Sequence, residues 1–349
     1  VAQKDATDGA IAHAVETANR LGFLLLKEFF AVEEVRRWEA TAVGLSAEER
    51  KQDFLTLGCF DSLLFHPRVL ALARGLLGPE LVYYGETNCV VDGAEPFRLI
   101  HSDARGMPGR LEAFHEPEPG QVFPGWRFAV YFRDYAAGSG GLKVLPESHL
   151  AHPFALLRIP QRTVQYKVRG HILGASGPAV QACNVPSVPG DLVIFNLALQ
   201  HAAGFVRLLD DRDAVLFPPT EIALLKDYPW LAEPQQVPRN ALFFDYGAPS
   251  VALDLYIKWR AHRTFKDGGD TAPELAGHPG GFYRYDAPGK RAIAAKHGVT
   301  LRYDRIIEHL LRKQKSTGTL SPPDRARLDD LFALNREFSD HFPLRALAG

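Results

Sequence analysis

Cysteine is scarce: Cys59, Cys89 and Cys183 are the only three in 349 residues, far apart and without a C-x-x-C pair. That argues against a disulfide scaffold or a zinc knuckle and predicts a reducing, cytoplasmic setting. An excess of either charge is lacking as well. Forty Lys and Arg against 41 Asp and Glu leave a net charge of −1, without the basic surplus of a nucleic-acid or anionic-membrane binder. Uninterrupted apolar runs such as Phe23 to Leu26 and Leu197 to Leu199 fall far short of the roughly 20 residues of a spanning helix. The stretch Val1 to Arg20 lacks the basic start, apolar core and cleavage site of a secretory signal. Neither an internal repeat nor a low-complexity tract is found. What is there is a chain with 46% hydrophobic and 23% charged residues, the balance of a globular protein with a sizeable core.

The length suits two average domains or one elaborated β domain. Helical spacing marks Asp8 to Leu21, Ala31 to Val43 and Pro67 to Leu77, with Gly22, Gly44 and Gly78-Pro79 as stops. Short Val-, Tyr-, Phe- and Leu-rich stretches follow at Leu81 to Val91, Trp126 to Tyr135, Leu142 to Leu145, Thr163 to Val168, Asp191 to Asn196 and Ala214 to Phe217, besides the earlier Phe23 to Leu26. Several short strands without alternating helices predict an antiparallel sandwich or barrel. Beyond Thr220, helical spacing returns at Val251 to His262, Lys290 to His297, Tyr303 to Lys313 and Pro323 to Phe338. The expected organisation is a single elaborated domain: a helical layer over 1–79, a β core over 80–220 and a helical extension over 221–349. The extension is expected to form a layer on the core or a dimer contact.

Three places could carry chemistry. In His101-Ser102-Asp103, after the strand-like Phe97 to Ile100, residues i and i+2 of an extended segment point to one side, so an imidazole and a carboxylate can face one ion. His201 follows the apolar strand of Gly190-Asp191-Leu192-Val193-Ile194-Phe195. By itself it is a polar residue at a strand end; with the H-x-D it completes a two-histidine, one-carboxylate set for non-haem Fe(II). Arg212, before Ala214 to Phe217, has a guanidinium fork suited to a carboxylate. Asp210, Asp211 and Asp213 could instead hold it on the surface, and Arg207 competes for the role.

These residues, with Ser139-Gly140-Gly141-Leu142-Lys143-Val144-Leu145-Pro146-Glu147-Ser148-His149, resemble the Fe(II)- and 2-oxoglutarate-dependent oxygenases, and within them the phytanoyl-CoA dioxygenase-like group. The middle segment is similar to that family's "NG-x-L-x-V-x-PGSH" strand and turn, with Ser139 for Asn and Glu147 for Gly. The resemblance covers about Leu81 to Phe217 and the N-terminal helices. It implies a double-stranded β-helix (jelly-roll, cupin-like) core, mainly β, with flanking α-helices at both ends. It further implies iron on His101, Asp103 and His201, 2-oxoglutarate held by Arg212, and His149 in a structural role. Many members carry Ser or Thr two residues after that arginine, where Ala214 stands here, so a second co-substrate contact is sought at Thr87, Asn88 or Arg98, which equally suit plain sheet positions. The implied reaction hydroxylates a small molecule with O2, releasing succinate and CO2; the carboxylate of Asp103 disfavours halogenation. Arg105, Arg110, His115, Arg162, Lys167, Arg169 and His171 point to a carboxylate- or phosphate-bearing substrate, or else form solvated basic loops. Trp126, Tyr131 and Phe132 could line its pocket or fill the core. A cupin-like metal enzyme without 2-oxoglutarate, and a non-catalytic barrel scaffold, are the alternative readings.

Overall fold

The computed structural model describes residues 2–47, 49–85, 87–93, 101–104, 122–136, 141–150, 166–168, 171–173, 183–203, 208–209, 226, 229–232, 238–250, 252–254, 256–257, 288–302, 314, 317–326, 328–329 and 333. Helix and strand are mixed, and the sheets are mainly antiparallel. The described strands are β1 (Phe23–Leu26), β2 (Leu81–Tyr83), β3 (Thr87–Gly93), β4 (Gly125–Tyr131), β5 (Leu142–Val144), β6 (Tyr166–Val168), β7 (His171–Leu173), β8 (Cys183–Val185), β9 (Leu192–Asn196), β10 (His201–Ala203), β11 (Arg239–Gly247) and β12 (Val299–Leu301). The chain divides into two compact units, one of Val1–Leu45, Asn88–Gly106 and Pro117–Phe243, the other of Ser46–Thr87, Met107–Glu116 and Phe244–Gly349.

In the first unit β9 lies between β1 and β4, antiparallel to both, with Phe23 and Arg127 opposite Phe195. β4 borders β11, which also pairs with β3. A second sheet has the order β10–β5–β8, with His201 opposite Val144 and Leu142 opposite Val185. β6 and β7 form a separate hairpin. The two larger sheets bury one common cluster: Ala129, Tyr131, Val193, Phe195, Ala241 and Phe243 come from the first, Leu142, Val144 and Val185 from the second. Alternation along each strand places these residues on one face, as burial against a facing sheet requires. The first helix, Ala2–Leu21, starts six residues ahead of the expected Asp8 and ends as expected at Leu21; the second, Val32–Gly44, falls within one residue of its expected bounds and buries Val35, Trp38 and Ala42 at helical spacing.

The second unit contains the helices Phe54–Leu57, Asp61–Leu64, Pro67–Leu77 and Pro288–Lys296, and the parallel pair β2 and β12. Asp53 caps the first of these helices by accepting from Leu55 and Thr56 N–H groups, and also takes the Tyr83 hydroxyl at 2.6 Å. The Tyr246 hydroxyl donates to the Leu64 carbonyl at 2.6 Å, and Arg302 meets Asp254 at 2.6 Å in full burial.

The stretch beyond residue 220, expected to be helical, contains two strands. β11 is buried on both faces from Asn240 to Gly247, so it carries no apolar–polar alternation by which a strand is read. Leu81 to Val91 divides into β2 and β3 around Gly85, whose φ of 72° breaks the extended path. Residues 252–254 and 256–257 are helical. The expected elements over 214–217 and 303–313, and most of that over 323–338, lie outside the described residues.

Candidate metal centre

Two local devices bring His101 and His201 together. β9 ends at Asn196, whose buried side chain accepts from the Ala198 N–H at 2.9 Å and donates to the Phe123 carbonyl at 2.7 Å, turning the chain after the strand. The turn delivers Gln200, held by two bonds from the segment that resembles the family motif: its carbonyl accepts from Leu145 N–H, and its N–H donates to the Ser148 hydroxyl at 2.8 Å. His201 and His101 then exchange backbone bonds of 2.8 and 2.9 Å as an antiparallel bridge. Ser102 and Ala104 both bond the Leu197 carbonyl, which holds Asp103 between them.

One ligand atom from each of His101, Asp103 and His201 lies within 4.8 Å of the others. His101 Nε2 is 3.8 Å from Asp103 Oδ1, and His201 Nε2 is 3.8 Å from Asp103 Oδ2. His201 is buried, its ring 4.7 Å from that of Phe195 and 4.4 Å from that of His101. Its Nδ1 lies 3.0 Å from the Leu199 carbonyl. A carbonyl only accepts, so the proton sits on Nδ1 and the Nε2 lone pair faces Asp103. Burial lowers the His201 pKa to about 4, with the His101 and Arg127 charges acting the same way and Asp103 and the Leu199 carbonyl opposing. The ring is therefore neutral at pH 7, as a metal ligand must be. Two imidazoles and a carboxylate on adjoining backbone suit a first-row divalent ion and leave part of its coordination sphere open.

Two further cations lie on the cluster-facing sides of their strands and were not selected from the sequence. Arg127 donates from Nη1 to Asp103 Oδ2 at 2.7 Å, with only 15% of its side chain exposed. The signal for it is a lone charge in the otherwise apolar Gly125–Tyr131 strand. Arg239 opens β11 on the same face as Ala241 and Phe243, two members of the apolar cluster. Its Nε is buried, with no hydrogen-bond partner among the described residues. Tyr131, on the cluster side of β4, has its phenol pushed well above the usual range by burial, against the pull of Arg239 and then Arg127.

Among the other nominated residues, His149 is buried and its Nε2 lies 2.8 Å from the Asn19 carbonyl, a packing role against the first helix. Thr87 is half-buried and Asn88 exposed at the start of β3. Trp126 is buried on the face of β4 opposite Arg127, and Phe132 is buried just beyond the strand. Lys167 and His171 belong to the β6–β7 hairpin. Arg98, Arg105, Arg110, His115, Arg162, Arg169, Arg207 and Arg212 lie outside the described residues.

No family model and no curated protein matches the chain. Solved structures similar to it include the non-heme alpha ketoglutarate dependent epimerase SnoN from nogalamycin biosynthesis, at 17% identity and a TM-score of 0.44 over 69% of this chain and 84% of that one. The non-heme monooxygenase ThoJ in a nickel complex is 18% identical, with a TM-score of 0.41 over 68% and 77% of the two chains. EctD from S. alaskensis, with 2-oxoglutarate and 5-hydroxyectoine, is 16% identical, with a TM-score of 0.42 over 68% and 76%.

Proposed function

We propose that this chain is an Fe(II)- and 2-oxoglutarate-dependent oxygenase, of the phytanoyl-CoA dioxygenase-like group, that hydroxylates a small organic molecule. The observation that carries the reading is the convergence of His101, Asp103 and His201, with His201 held neutral and its Nε2 turned to the carboxylate. In this reading the chain is one elaborated domain around a double-stranded β-helix, and the three side chains hold iron. The chemistry supplied by bound iron is a coupled oxidation: O2 and 2-oxoglutarate are consumed, succinate and CO2 leave, and one oxygen atom enters the substrate C–H bond.

The protein's own part is to bind, orient and exclude water. Phe195 and the apolar cluster keep bulk water from His201. Arg239, with a buried Nε and a place on the cluster face, takes the far carboxylate of 2-oxoglutarate as a guanidinium fork can, with the Tyr131 hydroxyl beside it. Arg212, nominated from the sequence, is the competing anchor, and Thr87, Asn88 and Arg98 are the competing second contacts. The substrate is a carboxylate- or phosphate-bearing molecule, met by the basic residues named above.

Anaerobic titration with Fe(II) and then 2-oxoglutarate tests this. The parent protein should develop the visible charge-transfer band of a chelated iron complex, His101→Ala should develop none, and Arg239→Met should need about tenfold more 2-oxoglutarate. Arg212→Ala should match the parent; the reverse pattern would return the anchor role to Arg212. Iron binding without a band would select the cupin-like alternative, and no binding of any divalent metal would select the scaffold.

A further inference from the structure

We infer that Arg127 is a positioning residue that keeps Asp103 a one-oxygen ligand, so that a metal held by the triad retains its open coordination positions. The inference rests on the metal-site reading above and deepens it. A carboxylate offers two oxygens and can bind an ion through one or both. Here both oxygens border the site, Oδ1 at 3.8 Å from His101 Nε2 and Oδ2 at 3.8 Å from His201 Nε2, and Arg127 Nη1 engages one of them, Oδ2, at 2.7 Å. The pair is enclosed, with 15% of the arginine side chain and 9% of the aspartate side chain exposed, so water does not readily replace the guanidinium. An oxygen engaged in a charge-assisted hydrogen bond is a poorer donor to a cation, and the bond also fixes the rotation of the carboxylate about its last torsion.

The consequence is a matter of counting. With one oxygen and two nitrogens from protein, an octahedral ion keeps about three positions for other ligands. With both oxygens bound it keeps about two, one fewer than a chelating keto acid together with O2 would need. Arg127 comes from β4, where its backbone is fixed opposite Phe195 of β9, so the guanidinium is presented by a paired strand and not by a loop.

The probe is Mn(II) alone, bound to the purified full chain, with water-proton relaxation reporting the waters on the ion. The parent should show about three exchangeable waters per bound Mn(II). Arg127→Met and Arg127→Gln, which both remove the charged fork, should each lower the inner-sphere relaxivity by about a third as Asp103 closes onto the ion. Arg127→Lys, which keeps one charged donor, should stay near the parent. Circular dichroism establishes that a variant has folded, and either neutral variant is sufficient if the other fails to fold. A folded neutral variant that binds one Mn(II) with the parent's relaxivity overturns the inference while leaving the metal site standing. A parent that binds no Mn(II) and no Fe(II) removes the metal-site reading itself, and the inference with it.

Discussion

At the scale of single residues, the motif-like segment shows how a side chain can be out of place and still tolerated. Glu147 stands where the resembled family has glycine, and its φ is 64°. An L-residue in that region costs about 1–2 kcal/mol, against roughly 0.5–1 kcal/mol of extra chain entropy lost by glycine on folding. Glu147→Gly should therefore stabilise the protein by roughly 0.5–1 kcal/mol. A rise in the urea midpoint at unchanged m-value would bear this out, and a fall would show that the exposed carboxylate contributes more than the strain removes. His101 and Asp103 were legible as a pair because i and i+2 share a side of an extended chain, and His201 as the polar residue closing an apolar strand. Arg127 was not, since its significance is a 2.7 Å contact with a residue from a segment distant in sequence.

At the scale of elements, the Gly190-Asp191 turn before β9 acts as a clasp. Asp191 is buried; its carboxylate accepts from the Glu28 N–H and the Val188 N–H, each at 3.0 Å, and from Lys27 Nζ at 2.7 Å. It thereby ties the turn ahead of β9 to the end of β1, the strand paired with β9. Asp191→Ala strands two backbone donors and should cost about 2–4 kcal/mol, with Asp191→Asn costing less because it keeps an acceptor. Equal loss in the two variants would assign the effect to the lysine pair alone. Gly22, with φ of 81°, ends the first helix where a Cβ would fall on the His149 ring and on Leu199. The stop at Gly22 was legible from sequence, whereas its reason, the approach of His149, belongs to packing. Short apolar strands were legible where turn residues bounded them. β11 was not, because burial on both faces leaves no alternation to read.

At the scale of the whole molecule, buried phenols make stability depend on alkaline pH. Tyr135 donates to the Pro238 carbonyl and accepts from the Asn240 N–H, and burial, opposed by that N–H, pushes its pKa up to about 12 from 10.0. Between those values the unfolded chain has released a proton that the folded chain still holds, so stability falls as pH rises, by about 1.4 kcal/mol per unit for this group. Burial raises Tyr131 and Tyr246 too, which adds to the decline. Denaturation midpoints followed from about pH 9 to 12 should drop, and Tyr135→Phe should remove one proton's share of the slope; an unchanged slope would mean that this phenol ionises freely when folded. Composition, charge and strand-length apolar runs by themselves determined a globular chain with helices ahead of a β-rich middle, and i, i+2 spacing marked the H-x-D, because these are properties of near neighbours along the chain; His201 became a ligand candidate only when set beside that pair. Tertiary structure alone decided that His101 bridges His201, that Arg127 holds Asp103, and that Arg239 shares a face with the core cluster. Each of these depends on which distant strands pair, in what register and with which face inward, and no local period encodes that.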